Sequence, residues 1–262
     1  MSLSFRQLLP FGVEVMGLSL VDVDRRRASN LQSALANHGV IVFRNQEITD
    51  IDFVNFLEQL GPLTFTQGEK PVEGQPALNV VTNVGRTQKP RSVFHTDTSY
   101  ISRPPAYTAL RTVIQPIAGG ETLFCDQYRA YETLPARVKE QLAETKVLHA
   151  VTGLVLSDCY EKQAWHPLFQ RHPRSDRVAL FLSTPERCQE LSGWDRVQGQ
   201  RVIKLLYKHS IRPSRLYRHR WQRGDVLVWD NRCTMHRADH SQVIGNRVLH
   251  RGLVLGGPPT TR

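Results

Sequence analysis

The chain has 262 residues, 40% hydrophobic and 22% charged, enough apolar material for a sizeable core and near the upper size of one domain. No stretch approaches the roughly 18 consecutive apolar residues of a spanning helix, and the opening MSLSFRQLLPFGVEV lacks the basic region and apolar run of a secretion signal, so a cytoplasmic protein with no membrane partner is expected. Lys and Arg outnumber Asp and Glu by 34 to 24, a net charge of +10, yet no helix-turn-helix, zinc-finger or aromatic RNA-binding pattern accompanies the excess, which argues against nucleic acid as the partner.

In chain order, SNLQSALANHG (29–39) has Leu31 and Leu35 at helical spacing and runs into VIVF (40–43), a short apolar run of strand type. Next comes TDIDFVNFLEQLG (49–61), where Thr49 can cap a helix, Ile51, Phe53, Val54 and Leu57 give an apolar face, and Gly61 suits the stop. Both helices are expected to pack outside a sheet. The remainder is mostly strand-like: ALNVVTNV (77–84), AYTALRTVIQP (106–116), ETLFCD (121–126), KVLHAV (146–151), VALFLS (178–183), DVLVWDN (225–231) and RVLHRGLVLG (247–256). Helical breaks fall at LPARVKEQLAE (134–144), with Pro135 near its start, and at GQRVIKLLYKHS (199–210). Strands this many and this irregularly spaced predict a mainly β fold, a sandwich or barrel with helical additions.

No internal repeat, low-complexity tract or Gly/Ser linker divides the chain, so residues 1–262 are expected to form a single domain. The polar stretch 159–177 reads as a long loop, a candidate lid over a site. The clusters DRRRASN (24–30), QRHPRSDR (170–177) and RPSRLYRHRWQR (212–223) read first as solvated faces, then as a field for small anions. Cys125, Cys159, Cys188 and Cys233 are scattered and form no C-x-x-C pair, which indicates neither a disulfide framework nor a structural zinc site.

FHTDTSY (94–100) places His95 and Asp97 two residues apart with no other charge nearby. In an extended segment positions i and i+2 point the same way, about 6 to 7 Å apart, so one imidazole and one carboxylate can bind adjacent positions of a single metal ion. A third donor stands in WQRGDVLVWDNRCTMHRADH, where a turn and an apolar strand lead to His236. Two histidines and a carboxylate on one face of an iron leave positions open for chemistry, as in non-haem Fe(II) oxygenases. His236 and His240 also have the spacing of a helical zinc pair, but Arg237 replaces the general-base Glu of H-E-x-x-H and the flanks read as strand and loop.

Taken together, HTD, PPAYTALR, GGETLFCD, HPLFQRHP, WQRGDVLVWDNRCTMH and NRVLHRGLVLGGPP resemble the taurine and 2,4-dichlorophenoxyacetate dioxygenase family (TauD/TfdA) of Fe(II)/2-oxoglutarate enzymes, in order and over nearly the whole chain. The resemblance implies a double-stranded β-helix, jelly-roll core of cupin type. It also implies metal ligands at His95, Asp97 and His236, and a 2-oxoglutarate site at Arg247, eleven residues beyond the last ligand, with Thr122 as its partner. Arg251 matches a second arginine that holds an anionic group of the substrate. An independent reading bears on this: on a strand, Arg247, Leu249, Arg251 and Leu253 share one face, with the arginine positions about 13 Å apart along it; turned inward that face would carry two anion sites, turned outward it would leave both arginines solvated. Arginine suits such sites because its planar fork matches a carboxylate.

The implied activity is oxidation of a C–H bond of a small anionic organic substrate with Fe(II), 2-oxoglutarate and O2, releasing succinate and carbon dioxide. Asp97 implies hydroxylation, because related halogenases lack this carboxylate. Taurine-specific members carry a histidine in the segment aligned with LGPLTFTQ, where Thr64 and Thr66 stand, and the aromatic contact expected near ALFLSTPERCQEL is absent. A sulfonate, sulfate ester or carboxylate other than taurine is therefore expected. Family members commonly associate into homo-oligomers, and that expectation carries over. A Zn-dependent hydrolase using the same triad, or a basic anion- or nucleic-acid-binding protein on the same fold, are the alternatives. Trp221 and Trp229 are expected in the core, His166 and His172 in structural or surface roles, and Asp230 and Asn231 at the turn leading to His236.

Overall fold

The computed structural model describes residues 3–85, 92–153 and 155–257. The two N-terminal helices form where caps and apolar faces coincide. Asp24 caps Arg25–His38 by accepting from the Arg27 amide, and Thr49 with Asp52 closes a capping box on Asp50–Leu60. The first helix therefore begins four residues before the expected start. The basic cluster at its head is its first turn, with Arg25 and Arg26 exposed while Ala28, Leu31, Ala34 and Leu35 are buried.

These helices pack on one face of a large sheet that is nine-stranded among the described residues. Its centre runs Val40–Phe43, Val226–Asp230, Pro105–Ile114, Val248–Leu255 and Gln75–Thr82. Alternation divides the first of these strands between two cores. Ile41 and Phe43 join Leu31, Leu35, Phe53, Phe56 and Leu57 under the helices, whereas Val40 and Val42 join Leu110, Phe124, Trp229 and Leu249 on the inner side. Each fully buried Leu or Phe contributes about 1.5–3 kcal/mol relative to exposure. Gly252 admits the second helix: a Cβ there would lie 2.1 Å from Leu57 Cδ1 and 3.2 Å from Leu78 Cδ2.

Facing the inner side is a smaller sheet of Thr122–Asp126 between Leu216–His219 and Thr234–Ala238. The segment holding FHTD joins it through one isolated bridge. The His95 amide donates to the His236 carbonyl, and the His236 amide to the His95 carbonyl, both at 2.9 Å. The expected helices at 134–144 and 199–210 appear as Ala136–Gln141 and Arg196–Ser210. The latter closes a third cluster with Leu123, Leu168, Phe169, Leu182 and Met235.

The stretch 159–177 corrects the loop reading. It contains the strands Gln163–Pro167, paired with Lys146–Ala150, and Phe169–Arg171, paired with Val178–Leu180. Its polarity misleads because three of its polar side chains, His166, Gln170 and His172, are internal, with His166 Nε2 donating to the Ser99 carbonyl at 2.8 Å and His172 Nε2 against Asp230 Oδ2 at 2.9 Å. Beside them His149 is fully buried, its Nδ1 2.9 Å from Ser99 Oγ and its ring 5.3 Å from that of His166.

Burial, helped by the neighbouring His166 ring and Arg187, holds His149 well below the ordinary 6.5 in the folded state. An unfolded imidazole takes up its proton as pH falls through 6.5 while the folded one stays neutral, so stability present above that value is lost on acidification. The melting temperature should fall between about pH 7 and pH 5, and His149→Gln should flatten that slope. An unchanged slope in a thermal series would contradict it.

Candidate metal centre

His95 and Asp97 lie on one extended segment and His236 in the middle of the strand Thr234–Ala238. The backbone bridge brings the two imidazoles to a ring-centroid distance of 4.3 Å. His95 Nε2 is 3.5 Å from Asp97 Oδ1, and His236 Nε2 is 3.8 Å from Asp97 Oδ2. All three donor atoms fall within 4.8 Å of one another, and among the described residues no other His, Cys, Asp or Glu belongs to such a group. His240 is buried but outside it, because the chain there is strand and turn rather than helix.

The protonation states suit a cation. His95 Nδ1 lies 3.0 Å from the Val93 carbonyl, and that contact assigns its proton to Nδ1 and leaves the Nε2 lone pair facing Asp97. Burial pushes His236 down to about 3, with Asp97 opposing the shift, so its ring is neutral at physiological pH. Burial by itself would raise the Asp97 carboxyl, but His236, His95 and Arg251 outweigh it and hold it well below the usual carboxylate range. Two imidazoles and one carboxylate fit a divalent cation with open positions.

A second layer orients the carboxylate. Thr108 Oγ1 donates to Asp97 Oδ2 at 2.8 Å, Asn231 Nδ2 donates to Thr108 Oγ1 at 2.8 Å, and Trp229 Nε1 donates to Asn231 Oδ1 at 3.1 Å. Register explains the alignment, since Thr108 pairs with Trp229 on one side and Leu253 on the other. The signal for Thr108 in the sequence is a small hydroxyl side chain inside the strand-like run AYTALRTV. Asn231 was legible only as a turn residue, and Trp229 only as core.

Arg247 and Arg251 occupy different environments. Arg247 is 1% exposed; its Nε donates to the Gly120 carbonyl at 3.0 Å and its Nη2 to Thr122 Oγ1 at 3.4 Å. Trp221 Nε1 donates to the same hydroxyl at 3.1 Å, and its ring centroid lies 5.9 Å from the guanidinium carbon. Nη1 is buried with no partner, and among the described residues no carboxylate makes an ion pair with this guanidinium. Burial alone lowers Arg247 to about 10, the mark of a cation that lacks its counter-ion. Gly120, at φ +74, leaves room for the side chain, since a Cβ would meet Arg247 Cδ at 2.8 Å. Arg251 stands beside the triad, its Nη1 3.8 Å from Asp97 Oδ1, but it already has an ion-pair partner: Glu69 Oε2 is 2.6 Å from its Nη2. Glu69 lies in a turn with no pattern of its own and could not be singled out from the sequence.

A family model described as taurine catabolism dioxygenase TauD, TfdA family matches residues 4–253. The alpha-ketoglutarate-dependent 2,4-dichlorophenoxyacetate dioxygenase of Burkholderia sp. (strain RASC) is 28% identical over 255 residues, covering 87% of this chain and 85% of the relative. The alpha-ketoglutarate-dependent sulfate ester dioxygenase of Pseudomonas putida is 28% identical over 269 residues, covering 95% and 87%. The crystal structure of AAD-2 in complex with Mn(II) and N-oxalylglycine superposes with a TM-score of 0.87 at 26% identity, covering 100% of both chains.

Thr108→Val keeps the shape of the strand while removing the hydrogen bond that orients Asp97. Mn(II) affinity, measured by calorimetric titration, should fall roughly 10- to 100-fold; a change of less than about twofold would show that the carboxylate needs no such support.

Proposed function

The chain belongs to the taurine catabolism dioxygenase TauD, TfdA family, and on that premise we propose that it uses Fe(II), 2-oxoglutarate and O2 to oxidise a C–H bond of a small anionic organic molecule, with release of succinate and carbon dioxide. Its fold is the jelly-roll core of that family with helices packed outside. The whole chain acts as one domain in this reading, and the stretch 159–177 forms a wall beside the site: Glu161 Oε2 accepts from the Ser102 amide at 2.8 Å and the Ser102 hydroxyl at 3.1 Å, just beyond the H-x-D segment.

The observation that carries the proposal is the convergence of His95, Asp97 and His236 on one small volume. The iron, when bound by these three residues, supplies the oxidation, and the protein's part is to place the reactants and limit side reactions. His95 and His236 offer nitrogen donors, and Asp97 offers a charged oxygen held by Thr108. Arg247, with Thr122 and Trp221 around it, receives the distal carboxylate of 2-oxoglutarate. The free Nη1 and the missing counter-ion support that role, because a buried guanidinium gains most from a planar anion it can grip with two N–H groups. Arg251 receives the anionic group of the primary substrate, a sulfonate, sulfate ester or carboxylate.

An anaerobic titration of the Fe(II) protein with 2-oxoglutarate should develop a visible charge-transfer band, and admission of O2 with substrate should yield succinate. His95→Ala, Asp97→Ala and His236→Ala should each abolish succinate formation; turnover retained in all three would reject the metal assignment. Arg247→Met should raise the 2-oxoglutarate concentration for half-maximal band intensity by roughly 30-fold or more, the loss expected when one partner of a buried charge pair is removed.

A further inference from the structure

The residue that follows Asp97 is strained. Thr98 holds φ at +44°, a region that a β-branched side chain rarely enters unless its surroundings force it there and that glycine occupies freely. The turn it opens carries one backbone hydrogen bond, from the Ile101 amide to the Thr98 carbonyl at 3.3 Å. The force comes from the next residue. Ser99 is completely buried; its carbonyl accepts from His166 Nε2 at 2.8 Å, and its Oγ lies 2.9 Å from His149 Nδ1.

Register sets both imidazoles on one face. His149 stands opposite Ala164, and His166 lies two residues beyond Ala164 on the same strand, while Trp165 between them is 45% exposed. The two rings and that of Phe181 pack mutually at 5.3 Å between centroids. An apolar ring in place of His166 would fill the same space, so what the imidazole adds is an N–H aimed at Ser99. On the other side of Asp97 the chain is pinned as well: Thr96 Oγ1 donates to the Leu182 carbonyl at 2.7 Å, and the Thr96 amide to Ser183 Oγ at 3.3 Å. Asp97 therefore sits between two fixed points, Thr96 and Ser99, with strained Thr98 joining it to the second. Were Thr98 to relax to negative φ, the peptide between Asp97 and Thr98 would have to rotate and would carry the carboxylate away from His95 Nε2, now 3.5 Å from it.

We propose that His166 is a positioning residue for the metal centre: through the Ser99 carbonyl it forces Thr98 into the left-handed conformation and so keeps the Asp97 carboxylate turned toward His95 and His236. The inference rests on the reading that these three side chains bind a divalent cation. It gives a buried imidazole, remote from the donors themselves, a task that packing alone does not require.

The test measures Mn(II) affinity by calorimetric titration in wild type, His166→Phe, His166→Gln, Thr98→Gly and the double variant His166→Phe/Thr98→Gly. Phenylalanine keeps the ring and removes the donor, and affinity should fall roughly 10-fold or more, as on loss of other supports behind a metal ligand. Glutamine restores an N–H within reach of the Ser99 carbonyl and should stay within about threefold of wild type. Glycine takes positive φ without being forced, so the double variant should bind within about threefold of Thr98→Gly alone. A histidine that only packs would lower the melting temperature in His166→Phe without this dependence on residue 98. Affinity within about twofold of wild type in His166→Phe, or an equal loss with threonine and with glycine at position 98, would overturn the inference. Should His166→Phe not fold, Thr98→Gly alone decides. It gives up the 3.3 Å contact between the Thr98 and Thr66 hydroxyls, yet relief of strain should raise the melting temperature by about 2 °C or more, and a fall would show that nothing forces this turn. Wild type that binds no Mn(II) would reject the metal reading and the inference with it, whereas normal wild-type binding with unaffected variants would reject the His166 role by itself.

Discussion

Two backbone hydrogen bonds between His95 and His236 hold the centre of this molecule together. They dock an otherwise irregular segment against the small sheet in one register, and register decides which face every side chain occupies. A slip of one residue would turn His236 toward the opposite side and bring Met235 or Arg237 to the metal position. The isolated bridge is thus a small amount of regular structure on which the whole donor arrangement depends, and the hydrophobic cluster around Phe94, Leu123 and Met235 supports it from below.

Around that bridge the interior is unusually polar, and its two halves solve the problem of buried charge differently. Near Asp97 one carboxylate oxygen is anchored: a hydroxyl, a carboxamide and an indole N–H form a chain that ends in the aromatic core. Near Arg247 the charge is left open, with burial depressing the guanidinium and one N–H unpaired. Folding this site with an unpaired guanidinium costs stability, and on the assignment proposed above the binding energy of the cosubstrate would offset that cost.

The sequence was most informative where periodicity and chemistry reinforced each other. The alternation in 247–256 put Arg247 and Arg251 on a common face, and the H-x-D spacing put two donors together, because strands have a fixed period and the chemistry needs few residue types. The strands at 163–171 were missed since histidines and a glutamine occupy inward positions, which resemble a loop until their partners are known. The start of the first helix was obscured by arginines that lie outside while Ala28 faces in. Glu69 was invisible for a different reason: its partner lies 182 residues away, and no local pattern records a long-range ion pair.

The proximity of Arg251 to Asp97, 3.8 Å between their nearest atoms, has a geometric corollary. On the assignments proposed above, the anchoring group of the substrate would be held on a guanidinium that itself adjoins the triad, which gives the molecule a short lever arm. Carbon atoms remote from the anchor would overshoot the reactive centre, and those one or two bonds from it would be presented to it. The site would thereby define regiochemistry by reach, favouring attack close to the charged terminus whatever the remainder of the molecule contributes.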